Sequence, residues 1–357
     1  MGSHAIRVLL VEDSPIALAI LQRILNSSPE IKVVGTARTG KEALALIPKL
    51  QPQVICTDLH MPQMNGLEFT RQVMATQPRP ILVISNSVQE SDTQTISGLL
   101  QSGAVDIFPK PILGTAVDYE RIKQALIGKI KVLSGVSVFT QRPQQAVAVE
   151  PACRTSLEAN SFPSVPYLAR AAKVVAIGAS TGGPQALHAI LTQLPVNFPK
   201  PAICIQHISK GFLQGLVDSL ARECCLPVKI AGNGEIPRPA TIYFAPERYH
   251  LELNSFGRFV YSDLGLVGGH CPSINVTFKS IAKLYGRATI GILLSGMGRD
   301  GAEGMAAIAR AGGLTIAQDE ASCVVFGMPK AAIALGGVQH VLPLNAIAPL
   351  LLSRLQV

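Results

Sequence analysis

Gly178-Ala-Ser180-Thr-Gly182 has the G-x-S-x-G spacing of a serine raised on a tight strand-to-helix turn, where small neighbours relieve crowding and the helix N-terminus favours developing negative charge. Such a turn serves acyl transfer, with the Ser180 hydroxyl as nucleophile. Glycine-rich strand-to-helix turns also cradle phosphates, and on the turn alone the two readings are even. The G-x-G-x-x-G spacing of a dinucleotide site and the lysine of a P-loop are both missing. His207, directly after the apolar run Ala202–Gln206, breaks the tie by setting an imidazole at the end of a neighbouring strand. Asp300 follows a third run, Thr289–Leu294, in the loop Gly296-Met-Gly-Arg-Asp-Gly301. Ser180, His207 and Asp300 then compose a nucleophile, a general base and an orienting carboxylate. Taken singly, His207 reads as a strand-end histidine and Asp300 as the cap of a helix over 301–311; the three together favour catalysis. Their chain order differs from the serine, acid, histidine order of α/β-hydrolases, which places the set on another topology.

A second group of chemistry-bearing residues lies in the first third of the chain. Glu12 and Asp13 end the run Ile6–Val11, Asp58 ends Val54–Thr57, Ser85 closes Ile81–Ser85 and Lys110 follows Val105–Phe108. Three carboxylates at one sheet edge repel unless a cation sits among them, and oxygen ligands with open water positions suit Mg²⁺. A metal, an ammonium and an aspartate nucleophile are what phosphoryl transfer onto Asp58 requires. The plainer alternative has Glu12 and Asp13 capping the next helix and Lys110 in a solvated turn; five functional ends on successive strands weigh against it.

The elements that must position these residues follow from hydrophobic periodicity. Ile6–Val11, Val33–Thr36, Val54–Thr57, Ile81–Ser85 and Val105–Phe108 read as buried strands, separated by segments with helical spacing such as Ile16, Ile20, Leu21, Ile24 and Leu25. A helix over 117–133 closes the series. Val174–Gly178, Ala202–Gln206, Thr241–Ala245, Thr289–Leu294 and Leu314–Ala317 begin a second series of the same kind. Strands alternating with helices predict right-handed βαβ units, hence two α/β domains with doubly wound parallel sheets and functional residues at the carboxyl ends of strands. The expected division is 5–133, a linker over 134–172 in which Gln, Pro, Ser and Ala dominate, and 173–357.

Composition narrows the function further. Of 357 residues 48% are hydrophobic and 15% charged, which excludes a wholly disordered chain. No apolar run is long enough to cross a bilayer and no secretion signal leads the chain, so a soluble protein is expected. Seven scattered cysteines without a C-x-x-C pair predict a reducing, cytoplasmic setting with no zinc site. Adjacent Cys224 and Cys225 are expected to pack without bridging. The net charge of +8 divides as +2, +1 and +5 over the three segments with no basic cluster, and only 5% of residues are aromatic, which argues against nucleic-acid binding. His188 and the Glu303/Arg310 charges are read as structural or solvated.

The first segment resembles a two-component response-regulator receiver domain, on Val8–Asp13, Asp58-Leu-His-Met-Pro-Gln-Met-Asn-Gly66, Ser85 and Lys110-Pro111. The resemblance implies phosphorylation of Asp58 by a histidine kinase, with Mg²⁺ held by Glu12, Asp13, Asp58 and the main-chain carbonyl of His60. It further implies phosphate contacts from Ser85 and Lys110, a Phe108 rotamer that follows phosphorylation, and a cis Lys110–Pro111 bond. Glu12 stands where many receivers carry aspartate.

Residues 173–357 closely resemble the catalytic domain of chemotaxis receptor methylesterases of the CheB type. The matching segments are Gly178–Gly183, Gln206-His207, Ala245-Pro246 with His250, His270 with Pro272-Ser273, Gly296–Gly301 and Ala317–Pro329. The resemblance implies that Ser180 attacks γ-methyl esters of glutamates on the cytoplasmic helices of chemoreceptors, releasing methanol. His207 would carry the proton, Asp300 orient it and the Met297 N–H stabilise the oxyanion, with no cofactor in the esterase chemistry. It also implies deamidation of receptor glutamines. The order receiver, linker, hydrolase leads to the expectation that the receiver covers the triad until Asp58 is phosphorylated. Cys271 stands where an arginine is familiar and Asn275 where an aspartate is. Two rival functions remain open: a non-catalytic receptor- or kinase-binding regulator with a degenerate triad, and a nucleotide-dependent oxidoreductase built on the glycine-rich turn.

Overall fold

The computed structural model describes residues 5–85, 98–99, 102–111, 116–136, 138 and 172–356, so most of the expected linker lies outside the described residues. The chain divides into two compact units.

The first unit carries five strands, β1 (Ile6–Val11), β2 (Ile31–Ala37), β3 (Val54–Asp58), β4 (Ile81–Ser85) and β5 (Asp106–Pro109), ordered β2-β1-β3-β4-β5 and all parallel. The centre of the sheet is covered on both faces, which is why β3 and β4 are buried at every residue and read as unbroken apolar runs. Helices start where short polar side chains cap them. Ser14 accepts from the Ala17 N–H ahead of the helix Pro15–Asn26, and Asn65 accepts from the Glu68 N–H ahead of Gly66–Thr76. The closing helix spans Ala116–Leu133, one residue longer than expected.

The second unit holds a seven-stranded sheet: β6 (Val174–Ala179), β7 (Ala202–Gln206), β8 (Val228–Ile230), β9 (Ile242–Phe244), β12 (Thr289–Leu293), β13 (Leu314–Gln318) and β14 (His340–Leu342). Their order is β14-β13-β12-β6-β7-β9-β8, again all parallel. Strands run one way from β6 through β7 to β9, then the chain returns to lay β12 and β13 on the other side. The crevice between β6 and β12 is therefore the topological switch point, where doubly wound sheets place their sites. Two apolar clusters sandwich the sheet, one around Ile177, Leu187 and Leu351, the other around Ala176, Phe278 and Met305.

Both doubly wound sheets agree with the periodicity, while three features differ from expectation. The edge strands β8 and β14, three residues each, carry too short a pattern to register. An antiparallel hairpin, β10 (His250–Leu253) with β11 (Phe259–Ser262), interrupts the βα alternation. Among the described residues the cis peptide is Cys271–Pro272; the expected one at Lys110–Pro111 is not cis.

Candidate functional site

In the second unit, Ser180 is the first residue past β6 and His207 the first past β7. The two strands pair with Ala179 opposite Gln206, so their next residues emerge side by side. The His207 N–H donates to the Ala179 carbonyl at 3.0 Å, and the Gln206 side-chain amide donates to the main-chain carbonyls of both Ser180 and His207 at 2.8 Å. From the other side, the Ser180 N–H donates to the Ser295 carbonyl at 3.0 Å, tying the serine to the loop after β12. The small residues of the turn have definite causes. A Cβ on Gly178 would lie 2.6 Å from Ile274 Cγ2, and Gly182 adopts φ +74° as it opens the helix Gly183–Leu191.

Asp300 is 4% exposed, and its carboxylate is saturated with donors. Oδ2 lies 2.9 Å from His207 Nε2 and accepts the Ile274 N–H at 2.7 Å. Oδ1 accepts from the Ser273 hydroxyl at 2.9 Å and from the N–H groups of Asn275 and Gly301 at 3.1 and 3.0 Å. Asp300 thus occupies the N-terminus of the helix Ile274–Tyr285, and Ser273 at the cap position turns its hydroxyl to the carboxylate. Burial alone would raise the Asp300 pKa; the hydrogen bond and charge of His207, with the Ile274 and Asn275 N–H groups, bring it down to about 2. The carboxylate therefore stays ionised near neutrality.

His207 has a 9% exposed side chain, and its Nδ1 is buried with no hydrogen-bond partner. The imidazole thus has one nitrogen engaged by Asp300 and one available to a proton donor. His270 stacks on it, with ring centroids 3.9 Å apart and planes inclined by 6°. His250, fully buried, accepts the Ser273 N–H at Nδ1 over 3.0 Å and donates from Nε2 to the Gly265 carbonyl at 2.7 Å. Its tautomer is thereby fixed, and it holds the cap that holds Asp300. Met297, 45% exposed, lies between Gly296, whose N–H is taken by the Val325 carbonyl, and Gly298 at φ +86°.

The sequence reading assigned no role to Gln206, Ser273, Ile274 or His250. These act through main-chain contacts between residues distant in the chain, which periodicity does not report. The signal nearest to one was the Pro-Ser pair at 272–273, a helix start. His188 pairs with Glu223 at 2.8 Å, as a structural residue would, and neither Cys224 nor Cys225 forms a disulfide.

In the first unit, Glu12, Asp13 and Asp58 each offer an oxygen within 4.8 Å of the others. Lys110 Nζ lies 2.7 Å from Asp58 Oδ2 and 2.9 Å from Glu12 Oε1. Burial works against the Lys110 ammonium, but its hydrogen bonds to Asp58 and Glu12 outweigh burial and its pKa rises. Burial lifts the Glu12 pKa above the ordinary glutamate value, against the pull of Lys110. Glu12 Oε2 is buried without a partner, while Asp13 is exposed. An orphaned carboxylate oxygen beside two more carboxylates fits a hard divalent cation, so these side chains suit Mg²⁺. Ser85 ends β4 next to the site, buried, and its carbonyl accepts the Lys110 N–H at 2.9 Å. His60 is exposed, two residues beyond Asp58. Phe108 is buried on β5. The loop after Asp58 is closed by Gly66, where a Cβ would overlap the Asp58 carbonyl oxygen.

Comparison with known proteins finds relatives of both units. Residues 8–122 match the response regulator receiver domain and residues 175–351 the CheB methylesterase domain. The chain is 38% identical over 348 residues to the protein-glutamate methylesterase/protein-glutamine glutaminase 1 of Syntrophus aciditrophicus, covering 98% of both proteins. It is 39% identical to the corresponding protein of Nitrosospira multiformis, covering 96% of this chain and 95% of that one. The crystal structure of the Thermotoga maritima CheB methylesterase catalytic domain is similar at a TM-score of 0.50 and 38% identity, covering 51% of this chain and 98% of that one. With both domains present in this order and similarity along its whole length, the chain belongs to the family of protein-glutamate methylesterase/protein-glutamine glutaminases.

Proposed function

We propose that the chain hydrolyses glutamate γ-methyl esters on chemoreceptor helices, releasing methanol, and deamidates receptor glutamines by the same acyl chemistry. The observation that supports this most is the emergence of Ser180 beside a histidine engaged at one nitrogen by a buried, ionised Asp300 and unpartnered at the other. The Ser180 Oγ–H bond breaks as Oγ bonds to the ester carbonyl carbon, and His207 Nδ1 takes the proton. The imidazolium is stabilised by Asp300, and the developing oxyanion by the Met297 N–H. Collapse expels methoxide, which leaves as methanol with the proton from His207. Water then attacks the acyl-enzyme with His207 again as base, and Ser180 departs with that proton. With a glutamine substrate ammonia leaves instead.

Residues 5–133 act as the switch, 134–172 as the tether and 173–357 as the hydrolase. A cytoplasmic histidine kinase is the phosphodonor and Asp58 the acceptor. Glu12, Asp13, Asp58 and the His60 carbonyl would hold Mg²⁺, whose charge would offset that of the phosphoryl group. Lys110 and Ser85 contact the phosphate on Asp58. Phosphorylation raises the rate of ester hydrolysis, by analogy with other receiver-linked switches.

Methanol release from methylated receptor, measured with and without a small acyl phosphate, tests chemistry and control together. Release abolished in Ser180→Ala and stimulated by phosphodonor in wild type but not in Asp58→Ala is the expected result. Undiminished release from Ser180→Ala overturns the catalytic reading; equal rates for phosphodonor-treated wild type and Asp58→Ala overturn the control.

A further inference from the structure

His270 belongs to a short segment that grips both partners of the His207–Asp300 pair. Val267 and His270 exchange main-chain hydrogen bonds at 3.0 and 3.1 Å across Gly268 and Gly269, which adopt φ +61° and +87°. Two successive residues at positive φ make this a tight turn that glycine alone adopts freely, and it fixes the backbone at His270. Three residues on, Ser273, Ile274 and Asn275 bind the Asp300 carboxylate. The ring of His270 lies parallel to that of His207, with centroids 3.9 Å apart. One rigid run of nine residues, 267–275, therefore sets the plane of the base and the position of the acid.

A single hydrogen bond at Nε2 leaves an imidazole free to swing about the Nε2···Oδ2 axis, and the other ring nitrogen of His207 has no partner to stop it. A parallel ring in van der Waals contact removes that freedom. It also screens one face of the ring from water, which strengthens the bond to Asp300. We infer that His270 is a positioning residue for the proposed ester hydrolysis: it acts through His207, holding the plane of that ring while Nδ1 serves as the proposed base for the Ser180 hydroxyl.

This inference rests on the triad reading, and the test separates the two. Methanol release is followed in the full-length chain for His270→Phe, His270→Ala and Ser180→Ala, with the imidazole ¹⁵N–¹H spectrum recorded for each folded variant. A stacked aromatic pair accounts for roughly a threefold to tenfold effect. His270→Ala is expected to lose about that factor in kcat at nearly constant KM. Its Asp300-bonded Nε2 proton signal should exchange faster with water. His270→Phe, which restores a flat ring without titratable nitrogen, should recover most of kcat and the slow signal. If Ser180→Ala is inactive while His270→Ala matches wild type in kcat and spectrum, the positioning role is wrong and the triad stands. The positioning role fails equally if His270→Phe loses as much kcat as His270→Ala, or if the loss falls on KM. If Ser180→Ala retains methanol release, both fall.

Discussion

Asp300 accepts the Ile274 N–H at 2.7 Å on the same oxygen that lies 2.9 Å from His207 Nε2. Asp300, the proposed orienting acid, thus also receives the first N–H groups of a helix that begins well before it in the chain. Its charge faces the positive end of that helix, where each interaction is worth up to about 2 kcal/mol in partly buried settings.

Replacing Asp300 by Asn should therefore damage two properties at once. Rate should fall about 10³–10⁴-fold, as when a triad histidine loses its carboxylate and adopts the wrong tautomer. Stability should also drop by about 2–4 kcal/mol, because a charged acceptor of buried N–H groups is gone. Enzyme assays and thermal melts read these separately, and a melt unchanged from wild type contradicts the capping role.

The Asp300 pKa, lowered from 3.8 to about 2, also fixes an acid dependence. A carboxylate depressed in the fold adds stability that is complete above its unfolded value and lost as pH falls through its folded one. Asp300 should contribute on the order of 2 kcal/mol at neutral pH, disappearing between about pH 4 and pH 2. The difference in stability between wild type and Asp300→Asn should narrow across that window when measured by denaturant titration; a constant difference tells against the shift.

The proposed oxyanion donor is a main-chain group, so its removal calls for proline. Met297→Pro should lower kcat about 10²–10³-fold with KM little changed, whereas Met297→Ala keeps the N–H and should stay near wild type. Parallel losses in both variants would transfer the importance to the methionine side chain.

In the receiver, Lys110 is the cation beside Glu12 and Asp58. Lys110→Ala leaves these carboxylates buried without it, a change that costs about 3–5 kcal/mol when a buried pair is broken. Because the Glu12 pKa is raised in the fold, its contribution is most favourable below 4.5 and is lost as pH rises through the folded value. The variant should therefore melt lowest at neutral pH, and Mg²⁺ should raise its melting temperature more than that of wild type. An identical Mg²⁺ response would mean that the ion and the ammonium do not share these carboxylates.

Gly66→Ala offers a steric test of the same pocket. The added methyl would overlap the Asp58 carbonyl oxygen, so the loop after β3 must shift. A loss of about 1–3 kcal/mol is expected, with slower phosphorylation of Asp58 by acyl phosphate. Wild-type phosphorylation kinetics would show that the loop yields without moving the aspartate.

Legibility in the sequence tracked the range of the interactions involved. β3, β4, β6 and β7 declare themselves because burial on both faces leaves unbroken apolar runs, and the residues just beyond them, Asp58, Ser180 and His207, inherit positions from parallel pairing. Asp300 read naturally as the cap of the helix that follows it. Instead Gly301 occupies that position at φ +88°, and Asp300 caps the helix Ile274–Tyr285. No local pattern encodes that contact. The same holds for His250, whose two ring bonds reach Gly265 and Ser273, and for the stack of His270 on His207. The β10–β11 hairpin escaped because it falls where the βα rhythm lapses, in the helix-free run of strands from β8 to β11.

The strand order of the second unit has a consequence for how the enzyme comes into being. The proposed nucleophile and base follow strands β6 and β7, made early, whereas the proposed acid and oxyanion loop follow β12, which joins β6 only after the whole intervening excursion has been synthesised. A nascent chain thus emerges from the ribosome with half a machine and no means of hydrolysing esters. Activity becomes a late property, acquired when β12 closes onto β6.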